Sequence, residues 1–326
     1  MHKVIFDTDP GVDDAMALLF LHQHAEIDLV GITTVFGNAS VETTTRNALF
    51  LKREWQIEAP VAKGIPETID PARAHADWPT FVHGEDGLGN IGVPATIDLP
   101  IDSRPAHRFI IDTVRAYPGE VTLIAVGRMT NLARALKEDP EIVGLVKGVI
   151  IMGGAFDTNG NVNPAAEANI HGDPEAADQV FTAAWPLTVV GLDVTTKTVM
   201  TRADLAAIVE RGGARTKLLS DISQFYIDFY ETRVPDGMLV HDSCACVYLV
   251  APELFTIRKG SMRVVCGGIA DGQTIQKPDD LGCGPSVWDG LPSQAACMEV
   301  DAPAVLKLIA DTLANTGANT GGKTGA

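Results

Sequence analysis

The sequence predicts an α/β fold: one large domain built on an open, mostly parallel sheet flanked by helices. Two observations carry this. Short apolar runs rich in Val and Ile alternate with segments of helical periodicity over most of the 326 residues, the pattern of strands joined by crossover helices. Unusual polar or Gly-rich segments also follow several of the apolar runs, at the strand ends where open parallel sheets bind ligands. With 46% hydrophobic residues and a mean hydropathy of +0.12, a core of that size is readily filled.

The strands expected in order are Lys3–Phe6, Ile27–Thr33, Glu120–Val126, Lys147–Met152 and Leu187–Leu192. Helices are expected over Asp14–His24, where Ala15, Leu18, Leu19 and His22 share one face, and over Val41–Lys52, Pro105–Tyr117, Thr130–Lys137 and Pro174–Ala183. Asp173-Pro174 reads as an N-cap followed by proline in the first helical position. The second half is more helical, with Arg202–Arg211, Arg215–Tyr230, His241–Val250 and a last helix carrying Ala302, Val305, Leu306 and Ile309. The Pro- and Gly-rich stretch from Gly64 to Leu99 has weak periodicity, and so long a loop is usually functional. The domain is expected to span residues 1–313, with a low-complexity, disordered tail from 314 to 326.

A formal net charge of −17 excludes the clustered basic surface that a nucleic-acid polymer requires. No apolar run approaches the ~20 residues of a membrane span. The first strand begins at Lys3, leaving no room for a signal peptide, so a cytoplasmic protein is expected. Five cysteines do not read as a disulfide framework. Cys244 and Cys246 lie near His241 and Asp242, but residues two apart on a helix do not share a face, and buried structural thiols are expected.

The chemistry concentrates at the N-terminus, where Asp7, Asp9, Asp13 and Asp14 fall within eight residues between an apolar strand and a helix. Like charges so crowded are costly unless something offsets them. A helix N-terminus can accommodate Asp13 or Asp14 as a cap, but not all four carboxylates. A hard cation with oxygen ligands, calcium or magnesium, is the better explanation.

The string Asp7-Thr8-Asp9-Pro10-Gly11-Val12-Asp13-Asp14-Ala15-Met16-Ala17-Leu18-Leu19 resembles the N-terminal signature of the inosine-uridine-preferring nucleoside hydrolases. Later blocks extend the resemblance in the family's order as far as Asp242. It implies a doubly wound sheet, a calcium ion, a homodimer or homotetramer, and hydrolysis of ribonucleosides at the N-glycosidic bond. By resemblance, Asp9, Asp14, Asp242 and the main-chain carbonyl of Val126 would hold the calcium, and a carbonyl ligand tolerates any side chain. Alone, Asp242 would read as a plain N-cap. In the resembling family a His-Asp pair stands at the place of His241-Asp242, with the His beside the departing base.

Asp9 is expected as general base and His241 as the group assisting the leaving base, its ordinary pKa near 6.5 suiting the task. Asp13, Asn38, Asn161, Glu167 and Asn169 are expected to hold ribose hydroxyls, Glu167 and Asn169 pointing the same way from an extended segment. Ala168 stands where the family usually has an aromatic. His83, in His83-Gly84-Glu85-Asp86-Gly87-Leu88-Gly89, resembles the family's first flap. Phe225, Phe229 and Arg233 lie four apart on one helix face and are candidates for contact with the base.

Base preference stays open, between the inosine-uridine type and a pyrimidine-preferring one. A phosphatase of the haloacid dehalogenase type also begins with a strand and DxD, but Gly11 stands where its pattern wants Thr or Val. An EF-hand fails because no glutamate closes a 12-residue loop. A catalytically silent nucleoside binder is opposed by intact Asp9, His241 and Asp242.

Overall fold

The computed structural model describes residues 1–73 and 78–315. Most of the expected low-complexity tail, residues 316–326, lies outside them. The strands are β1 (His2–Thr8), β2 (Ile27–Thr34), β3 (Val61–Ala62), β4 (Val121–Ala125), β5 (Gly148–Met152), β6 (Leu187–Val190), β7 (Val199–Thr201), β8 (Gly237–Leu239), β9 (Phe255–Val264), β10 (Thr274–Pro278) and β11 (Gln294–Val300). Nine form one sheet in the order β10-β9-β11-β6-β5-β4-β1-β2-β3, while β7 and β8 make a separate antiparallel pair.

From β3 to β11 the neighbours are parallel, and β9 alone runs against the rest, pairing antiparallel with β11 and with the edge strand β10. The five strands expected from sequence form the centre of this sheet. Their apolar runs are continuous because helices cover both faces; β4 is buried along its whole length. The antiparallel edge escaped sequence reading because β9 carries exposed Thr256, Ile257 and Lys259 among buried residues and lacks a clean alternation. Two hydrophobic clusters pack against the sheet, one containing Phe6, Leu19, Trp55 and Val247, the other Phe109, Leu132, Phe181 and Trp185.

The strand order places a topological switch between β1 and β4. From there the chain winds outward in both directions, and a crevice opens beyond the strands' carboxyl ends. The first helix, Val12–Gln23, starts two residues earlier than expected, so Asp13 and Asp14 lie inside its first turn and Gly11 is the N-cap. Asp242 is likewise not the cap of its helix, His241–Val250, which is preceded by Val240. Asp173 does cap the helix Pro174–Thr182, accepting from the Ala176 N–H. Cys244 and Cys246 are free and buried. Among the described residues, the stretch from Gly64 to Leu99 is irregular apart from a single turn, Thr80–His83. No helix among the described residues is long and apolar enough to cross a membrane.

Gly31 in β2 faces the helix Ala106–Ala116 so closely that a Cβ there would overlap the Phe109 ring. Gly31→Ala should therefore lower unfolding stability by about 1–3 kcal/mol through overpacking. Adding Phe109→Leu should recover part of the loss, as read from urea denaturation midpoints.

Candidate active site

Asp9 follows β1 and is held in a slot with glycine walls: a Cβ on Gly37 would overlap its Oδ2, and one on Gly127 would come within 2.5 Å of its Oδ1. Its Oδ2 accepts the Asn38 N–H at 2.7 Å, whereas Oδ1 is buried without a hydrogen-bond partner. Asp14 is the best-satisfied acid of the group. Its Oδ1 accepts from the Thr8 hydroxyl at 2.5 Å and the Asp9 N–H at 3.2 Å, and its Oδ2 accepts from the Gly11 N–H and the Asn38 side chain, both at 2.9 Å. Asp13, Asp14 and Asp242 converge with ligand atoms within 4.8 Å of one another, all three buried.

This crowding is expensive in ionised form. Burial pushes the Asp9 carboxyl well above its ordinary value, and repulsion from Asp14 adds to it, while the Asn38 N–H and Arg128 pull it back. Asp242 is raised by burial and then by Asp13, Asp14, Asp9 and Glu167, all of the same sign. Asp7, bonded to Thr33 and Asn131, is lifted to about 7 by burial. An all-oxygen donor set with an unpartnered buried Asp9 Oδ1 is what a hard divalent cation fits. Arg128 supplies a neighbouring positive charge, laid 4.5 Å over the Phe36 ring. Sequence reading noticed its segment but gave this residue no role.

The expected main-chain ligand, the Val126 carbonyl, follows β4 and accepts from Asn169 Nδ2 at 2.6 Å. Asn169 also donates to Met152 O at 3.1 Å. Glu167 and Asn169 do not lie on an extended segment as expected. Glu167 is the N-cap of the short helix Ala168–Gly172, its carboxylate accepting from the N–H groups of Asn169, Ile170 and Gly154, and Asn169 lies within that helix. Three consecutive prolyl and alanyl residues before Glu167 gave no warning of a helix start. Asn161 is exposed, and its Oδ1 accepts from Ala168 N–H. Asn38 is committed to the carboxylates, its Nδ2 donating to Asp14 and to the Asp9 carbonyl.

On the other side of the site stand rings. His241 is buried and its Nε2 lies 3.1 Å from the Tyr230 hydroxyl; its Nδ1 lies 2.8 Å from the Thr195 hydroxyl. Burial lowers its pKa to about 4, which corrects the expectation of an ordinary value near 6.5. His83, expected in a flap, belongs to this wall: it is 5% exposed, stacks on Tyr226 with centroids 5.5 Å apart, and accepts the Val12 N–H through Nδ1. Burial, helped by His241, takes it to about 3.

The aromatic helix Ala214–Tyr230 turns a different stripe inward from the one sequence favoured. Tyr226 and Tyr230 meet the two histidines, one position along from Phe225 and Phe229. Phe225 packs by Gly89, and Phe229 lies between Phe81 and Tyr230 with Arg233 5.9 Å from its ring. The i, i+4 spacing was visible for both stripes; the helix rotation that chooses between them was not.

The structure therefore brings Asp9, Asp13, Asp14, Asn38 and Asp242 together beside His83 and His241, with Val126, Glu167 and Asn169 on the adjoining strand ends. Phe225, Arg233 and Asn161 lie outside this group. A family model described as inosine-uridine preferring nucleoside hydrolase matches residues 4–307. Uridine nucleosidase 1 of Arabidopsis thaliana is 42% identical over 314 residues, covering 94% of this chain and 91% of that protein. An inosine-uridine preferring nucleoside hydrolase of Leishmania major is 37% identical, covering 84% and 87% respectively. A plant nucleoside hydrolase structure superposes with a TM-score of 0.91 at 38% identity, covering 96% of this chain and 99% of the other. With a site of buried carboxylates and histidines at the sheet's switch point and likeness along nearly its whole length, the chain belongs to the inosine-uridine preferring nucleoside hydrolase family.

Proposed function

We propose that this protein hydrolyses the N-glycosidic bond of ribonucleosides of the inosine and uridine type, releasing ribose and free base, with calcium as its cation. The observation that carries the reading is the start of the helix His241–Val250: Asp242 joins Asp13 and Asp14 while the adjacent His241 joins the aromatic wall. A single turn of chain thus serves both halves of the reaction, attack on the sugar and departure of the base.

Asp9, Asp14, Asp242 and the Val126 carbonyl would hold the calcium ion, Asp13 lying beside them. When bound, the cation supplies positive charge that lets water ionise near neutral pH and orients neighbouring hydroxyls. Asp9 presents Oδ1, unpaired and rigidly slotted, as the acceptor for the water's proton. The carboxylates surround the anomeric carbon with negative charge as it becomes oxocarbenium-like. Asp13, Asn38, Glu167 and Asn169 would orient the ribose hydroxyls, Asn169 exchanging its bond to the Val126 carbonyl for one to the sugar, while Asn161 would support them from outside the group by holding the Ala168 N–H. His83, Tyr226 and Tyr230 would offer faces and edges for a flat base, with Phe229 packed behind Tyr230, and His241 would support the base as it leaves. Phe225 and Arg233 would shape the rim. The protein would act in the cytoplasm on free nucleosides, as a homodimer or homotetramer.

Ribose release from inosine, uridine, cytidine and adenosine, without phosphate, tests the assignment. Release from uridine or inosine that EGTA abolishes and calcium restores is expected; no release from any of the four, with calcium and folded protein, would sink it. Asp9→Asn should lower kcat by on the order of 10²–10⁴-fold, the usual worth of a general base, with an unchanged circular dichroism spectrum.

Stability should couple to the cation through pH. Carboxyls raised in the folded state favour it while protonated and penalise it as pH climbs from about 4 through their folded values. Chelation should therefore lower Tm more at pH 8 than at pH 5, and a shift independent of pH would argue against a carboxylate-held cation.

A further inference from the structure

Thr195 closes the helix Leu192–Thr195 just after β6, is 0% exposed, and aims its hydroxyl at the back of His241, 2.8 Å from Nδ1. That contact is the only hydrogen bond of its Oγ1 among the described residues. The direction of the bond follows from what each choice would strand. If Nδ1–H donated to Thr195, the Thr195 O–H would be left buried without an acceptor, a cost of the kind folded proteins avoid. If Thr195 donates, its only proton is satisfied and Nδ1 is the acceptor. A neutral imidazole with Nδ1 accepting carries its proton on Nε2.

The opposite side of the ring accommodates the same tautomer: the Tyr230 oxygen lies 3.1 Å from His241 Nε2 and can accept from it, while the Tyr230 proton can turn to the Tyr226 hydroxyl 3.5 Å away.

We propose that Thr195 is a positioning residue that locks His241 as the Nε2–H tautomer, so that a neutral ring presents a hydrogen-bond donor to the departing base. This rests on the proposed hydrolysis for its purpose, but not for its structural content. A neutral donor suits this wall: the ring is surrounded by hydroxyls and aromatic faces, and Asp242 faces the acidic side of the helix start. As the base leaves, its accumulating negative charge takes the Nε2–H bond otherwise directed at the Tyr230 oxygen. The sequence gives no hint of this, since Thr195 and His241 are 46 residues apart.

Two measurements test it. Ring ¹⁵N shifts of the wild-type protein, with the His241 signals assigned by their loss in His241→Asn, should show Nε2–H; a predominantly Nδ1–H ring overturns the proposal whatever the enzyme hydrolyses. Thr195→Val keeps the shape and removes the donor. It should shift His241 toward Nδ1–H and lower kcat for uridine and inosine roughly tenfold, the scale of a lost buried hydrogen bond, with KM within about twofold. Thr195→Ser should restore both, and if Thr195→Val does not fold, Thr195→Ala, which also removes the donor, takes its place. A nitrophenyl riboside, whose leaving group needs no hydrogen bond, should be hydrolysed at the wild-type rate by Thr195→Val. Equal slowing of nucleoside and nitrophenyl riboside would mark Thr195 as merely structural and overturn the proposal. Wild-type inactivity on every riboside would defeat the proposed function while leaving the tautomer result to stand alone.

Discussion

The gathering of buried like charges at one point is the constraint around which this molecule is arranged. Asp9, Asp13, Asp14 and Asp242 lie in a dry crevice where each raises the cost of ionising the others. Four carboxylates cannot be tolerated there by chance, and the surrounding chain answers each separately. Asp14 takes main-chain N–H groups at the helix start, a threonine hydroxyl and an asparagine. Asp9 takes the Asn38 N–H and the field of Arg128, yet keeps one oxygen unpaired. Asp242 meets the like charges of Asp13, Asp14, Asp9 and Glu167, an imbalance of the kind that a hard cation relieves.

The sheet topology makes this crowding possible. At the switch between β1 and β4 the two crossovers depart in opposite directions, leaving a crevice where strand ends from distant parts of the sequence meet. Asp9 and the Val126 carbonyl come from the two central strands, Asn38 from beyond β2, Glu167 and Asn169 from the segment beyond β5, and Thr195 from beyond β6. Glycines at positions 37 and 127 are there because Asp9 occupies the volume their side chains would fill.

The two walls of the crevice differ in electrostatic character. One concentrates negative charge in the carboxylates of Asp9, Asp13, Asp14 and Asp242. The other is aromatic, its histidines held below their ordinary pKa values by burial. Asp242 and His241 join the walls through a single peptide unit, so the spacing of the acidic and aromatic walls is fixed by covalent geometry and by the packing of the helix His241–Val250 against Val12–Gln23.

The parallel sheet is legible in the amino-acid pattern, because strands covered on both faces leave continuous apolar runs. The acidic cluster at the first strand's end is legible too, because four aspartates in eight residues have few structural uses. Asp242 with His241 is identified only through resemblance, since spacing alone reads that pair as an ordinary helix cap. What tertiary structure decided was orientation. The helix start at Val12 made Asp14 an internal hub, the turn at Glu167 spent that carboxylate on main-chain N–H groups, and rotation of the helix Ala214–Tyr230 sent Tyr226 and Tyr230 inward in place of Phe225 and Phe229. The polarity of His241 depended on Thr195 from another strand end. Periodicity reports which residues share a face; which face turns toward the site is set by packing energies between elements far apart in sequence, and no local pattern records them.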